Sequence, residues 1–331
     1  MTLPLKKTSM LIVLLLSLMT ISCQKNNQQM ISISLAHNSD IQHPIHQALI
    51  YFDERLQVIS NNTMSLKLYP GEQLGSEREI LELIQIGTLG MTKISASSLE
   101  TFVPQMKIFN LPYLFRNKSH FWQVLNSPLG EELLQNGEKY RIKGLGYFDA
   151  GSRSFYTVNK KIESPKDLAG LKIRVMGSKS AVDMVNTMGG ASTPVSWGEI
   201  YTALQQGIVE GAENNPPSFF YSKHYEVSKY YLLDEHTSIP DVIVVGTHVW
   251  NKLNTEQQTW LKQAMKEATV YQRKLWDEAT KMALTKVKEA GVMVIEADKS
   301  LFESSVSSIY KKIENPELLT LVDNVRLIGD K

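Results

Sequence analysis

Apolar and polar positions along the chain switch between two periods. Ile31, Ile33 and Leu35 alternate with Ser32 and Ser34, the pattern of a half-buried strand. Over 46–59 the spacing becomes helical, with Ala48, Leu49, Phe52, Leu56 and Ile59 on one face. Met64, Leu66 and Leu68 alternate again, and Tyr69-Pro70-Gly71 supplies the turn that ends this second strand. Ser76, with Glu79 three residues on and Ile80, Leu83 and Ile84 behind it, predicts a capped helix. The same order continues, with strands predicted near 90–95, 144–148, 171–175 and 242–246 and helices near 119–125, 179–188 and 197–206. Such alternation implies an α/β fold with largely parallel sheets, whose ligands sit at the carboxyl ends of strands.

One stretch breaks the rhythm. Residues 255–290 contain no Pro or Gly, are rich in Ala, Lys, Glu and Gln, and carry Leu261, Met265, Ala268, Leu275, Ala279 and Met282. Thr255 is the expected N-cap and Gly291 the stop, with a last strand over 292–295. A helix of that length spans roughly 50 Å, more than one small domain. It is expected to brace two domains, which a chain of 331 residues also favours.

Composition narrows the class. The chain is 43% hydrophobic and 21% charged with a net charge of +1, so no nucleic-acid footprint is present. Lys6 and Lys7 precede an apolar run over 10–21, the length of a secretory signal and too short for a membrane span. The expected layout is a signal over 1–22, a polar tether over 23–30 and an exported mature protein. Cys23 is the only cysteine, so an internal disulfide is excluded. The ending Leu18-Met19-Thr20-Ile21-Ser22-Cys23 resembles a bacterial lipobox, which would make Cys23 the lipidated mature N-terminus. Ser22 fits that pattern, while Thr20 departs from it.

Common catalytic signatures are missing: there is no G-x-S-x-G, H-E-x-x-H, C-x-x-C or Walker loop. Asp149 stands where the third glycine of a dinucleotide fingerprint beginning at Gly144 would fall. His43 and His46 form an H-x-x-H, but Pro44 and the lack of a third nearby ligand argue against a metal. No cofactor, metal or catalytic residue is expected.

Several segments resemble the solute receptors of TRAP (tripartite ATP-independent periplasmic) transporters, also called the C4-dicarboxylate receptor family. They are Tyr69-Pro-Gly-Glu-Gln-Leu-Gly-Ser-Glu-Arg78, Phe109-Asn-Leu-Pro-Tyr-Leu-Phe115, Gly151-Ser-Arg-Ser-Phe-Tyr-Thr157, Asp167-Leu-Ala-Gly-Leu-Lys-Ile-Arg-Val175 and Trp197-Gly-Glu-Ile-Tyr-Thr-Ala-Leu-Gln-Gln-Gly207, followed by Val209-Glu-Gly-Ala-Glu-Asn-Asn-Pro216. The likeness covers about 31–300, in family order. It implies a two-lobed periplasmic binding protein of type II-like build, hinged, with the long helix spanning both lobes. Lobe I would comprise 31–150 and 240–279, and lobe II 151–239 and 280–331. The chain would cross near Gly151 and Pro240. The resemblance also implies a periplasmic monomer that binds a small organic anion and hands it to a membrane permease.

By the same resemblance, Arg174 pairs with the ligand carboxylate, Arg153 is a second pocket arginine and Asn214 a supporting amide. A guanidinium suits this task because its planar fork stays charged and donates two parallel bonds. Read locally, Arg174 could equally face solvent, opposite Ile173 and Val175, and Asn214 could be a turn residue before two prolines. Trp197 falls where the family places an aromatic, and Asn38 and Glu77 at polar positions of the other lobe, with His37 beside them. Lys93 interrupts an apolar strand and needs a partner or an anionic or hydroxylated ligand group. Ser95 follows on its face. His236 is a candidate that also reads as a surface-loop residue. The strings over 90–96, 149–154 and 234–237 look like the uronate-binding branch. Glucuronate or galacturonate is therefore expected first, a C4-dicarboxylate next, then an aldonate or sialic acid. A secreted enzyme acting on sugar acids is the rival class.

Overall fold

A computed structural model describes residues 30–329. The signal, the spacer 24–29 and Cys23 lie outside the described residues.

Two sheets anchor two lobes. In the first, β1 (Ile31–Ala36), β2 (Met64–Tyr69), β3 (Met91–Ser95), β4 (Ile142–Phe148) and β11 (Asp241–Gly246) run in the order β2-β1-β3-β11-β4. In the second, β5 (Ser152–Thr157), β6 (Lys172–Val175), β7 (Ala191–Pro194), β8 (Gly211–Asn214), β9 (Tyr230–Leu233) and β12 (Met293–Glu296) run β12-β9-β5-β8-β6-β7, with β10 (Thr237–Ser238) beside β5.

The sheets are mixed, which corrects the expectation of largely parallel ones. β11 lies antiparallel between β3 and β4, and β5 is antiparallel to β8, β9 and β10. The crossings are the reason. The chain leaves lobe I through β4 into β5 and returns through β10 into β11, and an outgoing and a returning segment that pair must run in opposite directions. Phe148 faces Asp241 on one side of the boundary and Ser152 faces Ser238 on the other. The hinge is thus a two-stranded antiparallel ribbon, crossing at 149–151 and 239–240.

The long helix spans Thr255–Glu289, and its N-cap is Asn254, not Thr255. Asn254 accepts from the Gln257 amide while Gln257 returns a bond to the Asn254 backbone, a reciprocal cap that Thr255 cannot form from inside the first turn. Leu261, Ala264, Met265 and Ala268 pack with Phe52 and Ile243 in lobe I, and Val287 packs with Tyr156 and Phe219 in lobe II. Midway, Gln272 is fully buried and brackets the first crossing, donating to the Asp149 carbonyl and accepting from its amide, both at 2.7 Å. Gly151 adopts a φ of +62°, and a Cβ there would meet Trp276 Nε1 at 3.0 Å, so the crossing needs glycine on both counts.

The helix Pro316–Leu327 corrects the expected division of the chain. Its Leu318, Leu321, Val322 and Val325 pack with Phe121 and Trp122, so this end of 280–331 belongs to the core of lobe I. A second tie between lobes comes from buried Glu100, which accepts from Ser178 Oγ at 2.9 Å and the Ser180 amide at 3.1 Å, at the start of the lobe II helix Lys179–Thr187. No helix among the described residues is long and apolar enough to cross a membrane.

Candidate ligand-binding cleft

The lobes enclose a cleft of about 290 Å³. That is close to the lower end of the roughly 300–1,000 Å³ typical of small-molecule sites. Asn38, Glu77, Lys93, Ser95, Arg153, Arg174, Trp197 and Asn214 all line it.

The lobe II wall is built on three neighbouring strands. β6 lies parallel to β8 with Arg174 opposite Ala212, and β5 lies antiparallel to β8 with Ser154 opposite Asn214. Arg174 and Asn214 thus share one face of the sheet, while Arg153, beside Ser154, alternates to the other face and still reaches the cleft near its strand's start, with Nη1 against Asn214. Arg153 is already paired: Nη2 donates to Glu213 Oε1 at 2.8 Å, Nη1 to Asn214 Oδ1 at 2.9 Å, and Nε also reaches Glu213. Burial alone would raise the Glu213 carboxyl, but Arg153 and the bond to His236 outweigh it and hold it at about 2. Arg174 is different. Its Nε donates to the Val195 carbonyl at 2.9 Å, while Nη1 is buried without a partner among the described residues. The residue is 3% exposed, and desolvation together with Arg153 depresses the guanidinium to about 10, still charged at neutral pH. The solvent-facing alternative for Arg174 is therefore wrong.

The lobe I wall has the opposite character. Glu77 opens the helix Glu77–Ile86 beneath its Ser76 capping box. It accepts from Asn38 Nδ2 and the Ser95 amide, both at 3.2 Å, and from Ser98 Oγ. Asp241 sits opposite Ser95 in the β3–β11 pair, which puts it on the same face as Lys93. Lys93 Nζ donates to Asn38 Oδ1 at 2.7 Å, and stands 3.6 Å from Glu77 and 3.5 Å from Asp241. The buried lysine thus has its partners within the protein. Burial raises the Asp241 carboxyl, against the pull of Lys93.

Two expected residues do not reach the cleft. His37 is fully buried and pairs with His46 through Nε2 and Nδ1 at 3.0 Å; desolvation, with Lys93 adding to it, lowers it to about 2. His236 is neither a lining residue nor a surface one, being fully buried behind Arg153. It bonds Asp234 at 2.8 Å and Glu213 at 3.4 Å; burial would lower it, but these carboxylates raise it to about 9. It supports the wall from behind.

The sequence reading missed Glu72, Glu213, Asp241 and Trp276, which no spacing rule marks as a group. It also missed the role of His43, which caps its helix through Nδ1 and meets Ser218 across the lobes at 3.4 Å. Because Nδ1 accepts, Nε2 carries the proton. Burial, then Lys93, lowers this histidine to about 3, so it stays neutral. The proline after it, which argued against a metal ligand, is the first residue of that helix.

Two lobes on a paired hinge, with a partly unpaired arginine on one wall and hydrogen-bonding acids on the other, form a cleft of the kind found in solute receptors and suited to a small anion. The family model for bacterial extracellular solute-binding proteins of family 7 matches residues 35–316. The chain belongs to that family, the receptors of TRAP transporters. Among solved structures it is similar to a TRAP periplasmic solute-binding protein from Bradyrhizobium in complex with α/β-D-galacturonate, at 36% identity and a TM-score of 0.87, covering 89% of this chain and 99% of that one. A receptor from Pseudomonas putida F1 with bound D-glucuronate is 34% identical, TM-score 0.87, covering 91% and 98%. One from Polaromonas bound to D-erythronate is 28% identical, TM-score 0.88, covering 91% and 100%.

Proposed function

We propose that this receptor captures a uronate, glucuronate or galacturonate, in the periplasm, delivers it to a TRAP permease and catalyses no reaction. The unpartnered, buried guanidinium edge of Arg174 carries the reading, because it is the group the protein leaves for a carboxylate. Such charged bonds contribute about 1.5–3 kcal/mol each. Arg153, oriented by Glu213, and Asn214 support the same carboxylate, and Trp197 offers a ring face. On the other wall Glu77, Asp241 and Asn38 accept from ligand hydroxyls, while Lys93 and Ser95 donate.

The opposed walls also rank the ligands. A C4-dicarboxylate needs a second free cation, and Lys93 already faces two carboxylates, so a second ligand anion there meets repulsion. Hydroxyls meet no such penalty. The likeness to uronate-bound receptors points the same way. Attachment through a lipid on Cys23 is part of the proposal; palmitate labelling that survives Cys23→Ala would refute it.

The direct test is a thermal-shift and calorimetric screen of the mature protein against uronates, aldonates and dicarboxylates. A ligand at 100 times its Kd should add about 2.7 kcal/mol of stability. Absence of any response to these acids would defeat the receptor reading, and steady consumption of the bound acid would make the protein an enzyme.

A further inference from the structure

One hydrogen bond joins the lobes beside the edge strands of the two sheets. Glu72 lies in the turn after β2, and Gly198 in the short 3-10 turn Trp197–Glu199 after β7. β2 and β7 are the edge strands of their sheets, whereas the crossing strand β4 is at the opposite edge of the first sheet from β2. A contact so placed sits at the long end of the lever and travels far when the lobes part. Glu72 Oε2 accepts from the Gly198 amide at 3.0 Å.

Both partners are shaped for this bond. Glu72 holds a φ of +59°, a conformation uncommon outside glycine. Its amide donates to the His37 carbonyl at 3.2 Å, and its carbonyl accepts from Gly75 at 2.9 Å, which fix the turn. On the other lobe, a Cβ on Gly198 would stand 2.6 Å from Glu72 Oε2. An alanine there would push the end of the Glu72 side chain away from the amide. Glu72 lines the cleft, Gly198 follows the lining residue Trp197, and the second Glu72 oxygen is buried without a partner among the described residues.

We propose that Glu72 is a positioning residue for closure, whose bond to the Gly198 amide holds the far edges of the lobes together and sets how fast ligand leaves. The inference rests on the receptor reading above. A contact formed only in the closed state slows release without hastening encounter. It belongs to the side chain's geometry more than to its charge, because an amide oxygen accepts the same bond.

Stopped-flow or surface-based kinetics with D-glucuronate and D-galacturonate test this on four proteins: wild type, Glu72→Ala, Glu72→Gln and Gly198→Ala. Loss of a hydrogen bond to a charged acceptor corresponds to about a tenfold faster koff or more. Glu72→Ala and Gly198→Ala should both show it with kon unchanged, while Glu72→Gln stays within about threefold of wild type. Unchanged release from both disrupting variants overturns the latch. So does fast release from Glu72→Ala beside normal release from Gly198→Ala, which would make Glu72 a ligand contact only. Far-ultraviolet circular dichroism and melting confirm that each variant is folded. Wild-type protein that binds neither uronate strikes at the receptor reading itself; in that event, interlobe distances in the ligand-free proteins judge the latch, which predicts wider lobes in Glu72→Ala and Gly198→Ala.

Discussion

The two walls of the cleft hold similar numbers of charged groups and use them differently. On the lobe II wall, Glu213 cancels Arg153 and leaves Arg174 with an unmatched edge. On the lobe I wall, Lys93 is shared between Glu77 and Asp241, so the surplus is acidic. One wall is therefore built for a carboxylate and the other for donors such as hydroxyls. The lesson is that charge type alone does not assign a ligand group. What matters is which charge the protein has left unpaired.

The contrast can be broken most sharply at Arg174. Arg174→Ala should weaken uronate binding at least about 100-fold by calorimetry, the loss of a bidentate charged pair, with little change in melting temperature. Near-normal binding would show that Arg153 carries the carboxylate. Glu213→Gln should act on the fold instead. It leaves buried Arg153 without its counter-charge, at a cost of about 3–5 kcal/mol read by denaturant melts. A variant as stable as wild type would mean that Arg153 relaxes freely, and the pairing would lose its weight.

Titration examines the same wall. His236 is raised to about 9 in the fold against 6.5 as its ordinary value. A histidine with a raised pKa stabilises the fold fully below the unfolded value, and this contribution fades as pH rises from 6.5 through 9. Glu213, held at about 2 against 4.5, acts in the opposite sense: its contribution is full above 4.5 and is lost as pH falls through 2. Stability measured against pH should decline on the alkaline side, and His236→Gln should flatten that limb.

The lobe I wall is probed by Asp241→Asn. Removing one acid from the pair around Lys93 should improve succinate relative to glucuronate by about tenfold in the ratio of Kd values. An unchanged ratio would show that the acids do not exclude a second carboxylate. The smallest effect belongs to His37→Asn, which should alter uronate affinity less than about twofold, because that ring faces His46 and not the cleft.

Much of the architecture was readable because it is local. Period-two and helical spacing found β1, β2 and their helices, and the Gly- and Pro-free run found the long helix to within a residue or two. Strand direction was not readable, since β11 is antiparallel only because it returns beside the strand by which the chain left. The last helix likewise joins lobe I by packing that no local pattern announces. Within the site, the resemblance pointed to Arg153, Arg174, Asn214, Glu77, Asn38 and Trp197, and the strand pattern to Lys93 and Ser95, and all eight line one cleft. Position in the chain misled for His37, a neighbour of Asn38 whose ring is buried away from the cleft, and for His236, which lies behind Arg153.

The sequence by itself determined the alternating elements, the spanning helix and the presence of an arginine suited to a carboxylate. Backbone propensity and hydrophobic period act over a few residues, so these survive without knowledge of the fold. The tertiary structure decided which charges cancel. Glu213 and Arg153 are 60 residues apart, Lys93 and Asn38 are 55 apart, and Glu72 and Gly198 are 126 apart. Pairing across such separations depends on where strands cross between lobes. Only that geometry leaves one edge of Arg174 unpaired and brings Glu72 against Gly198.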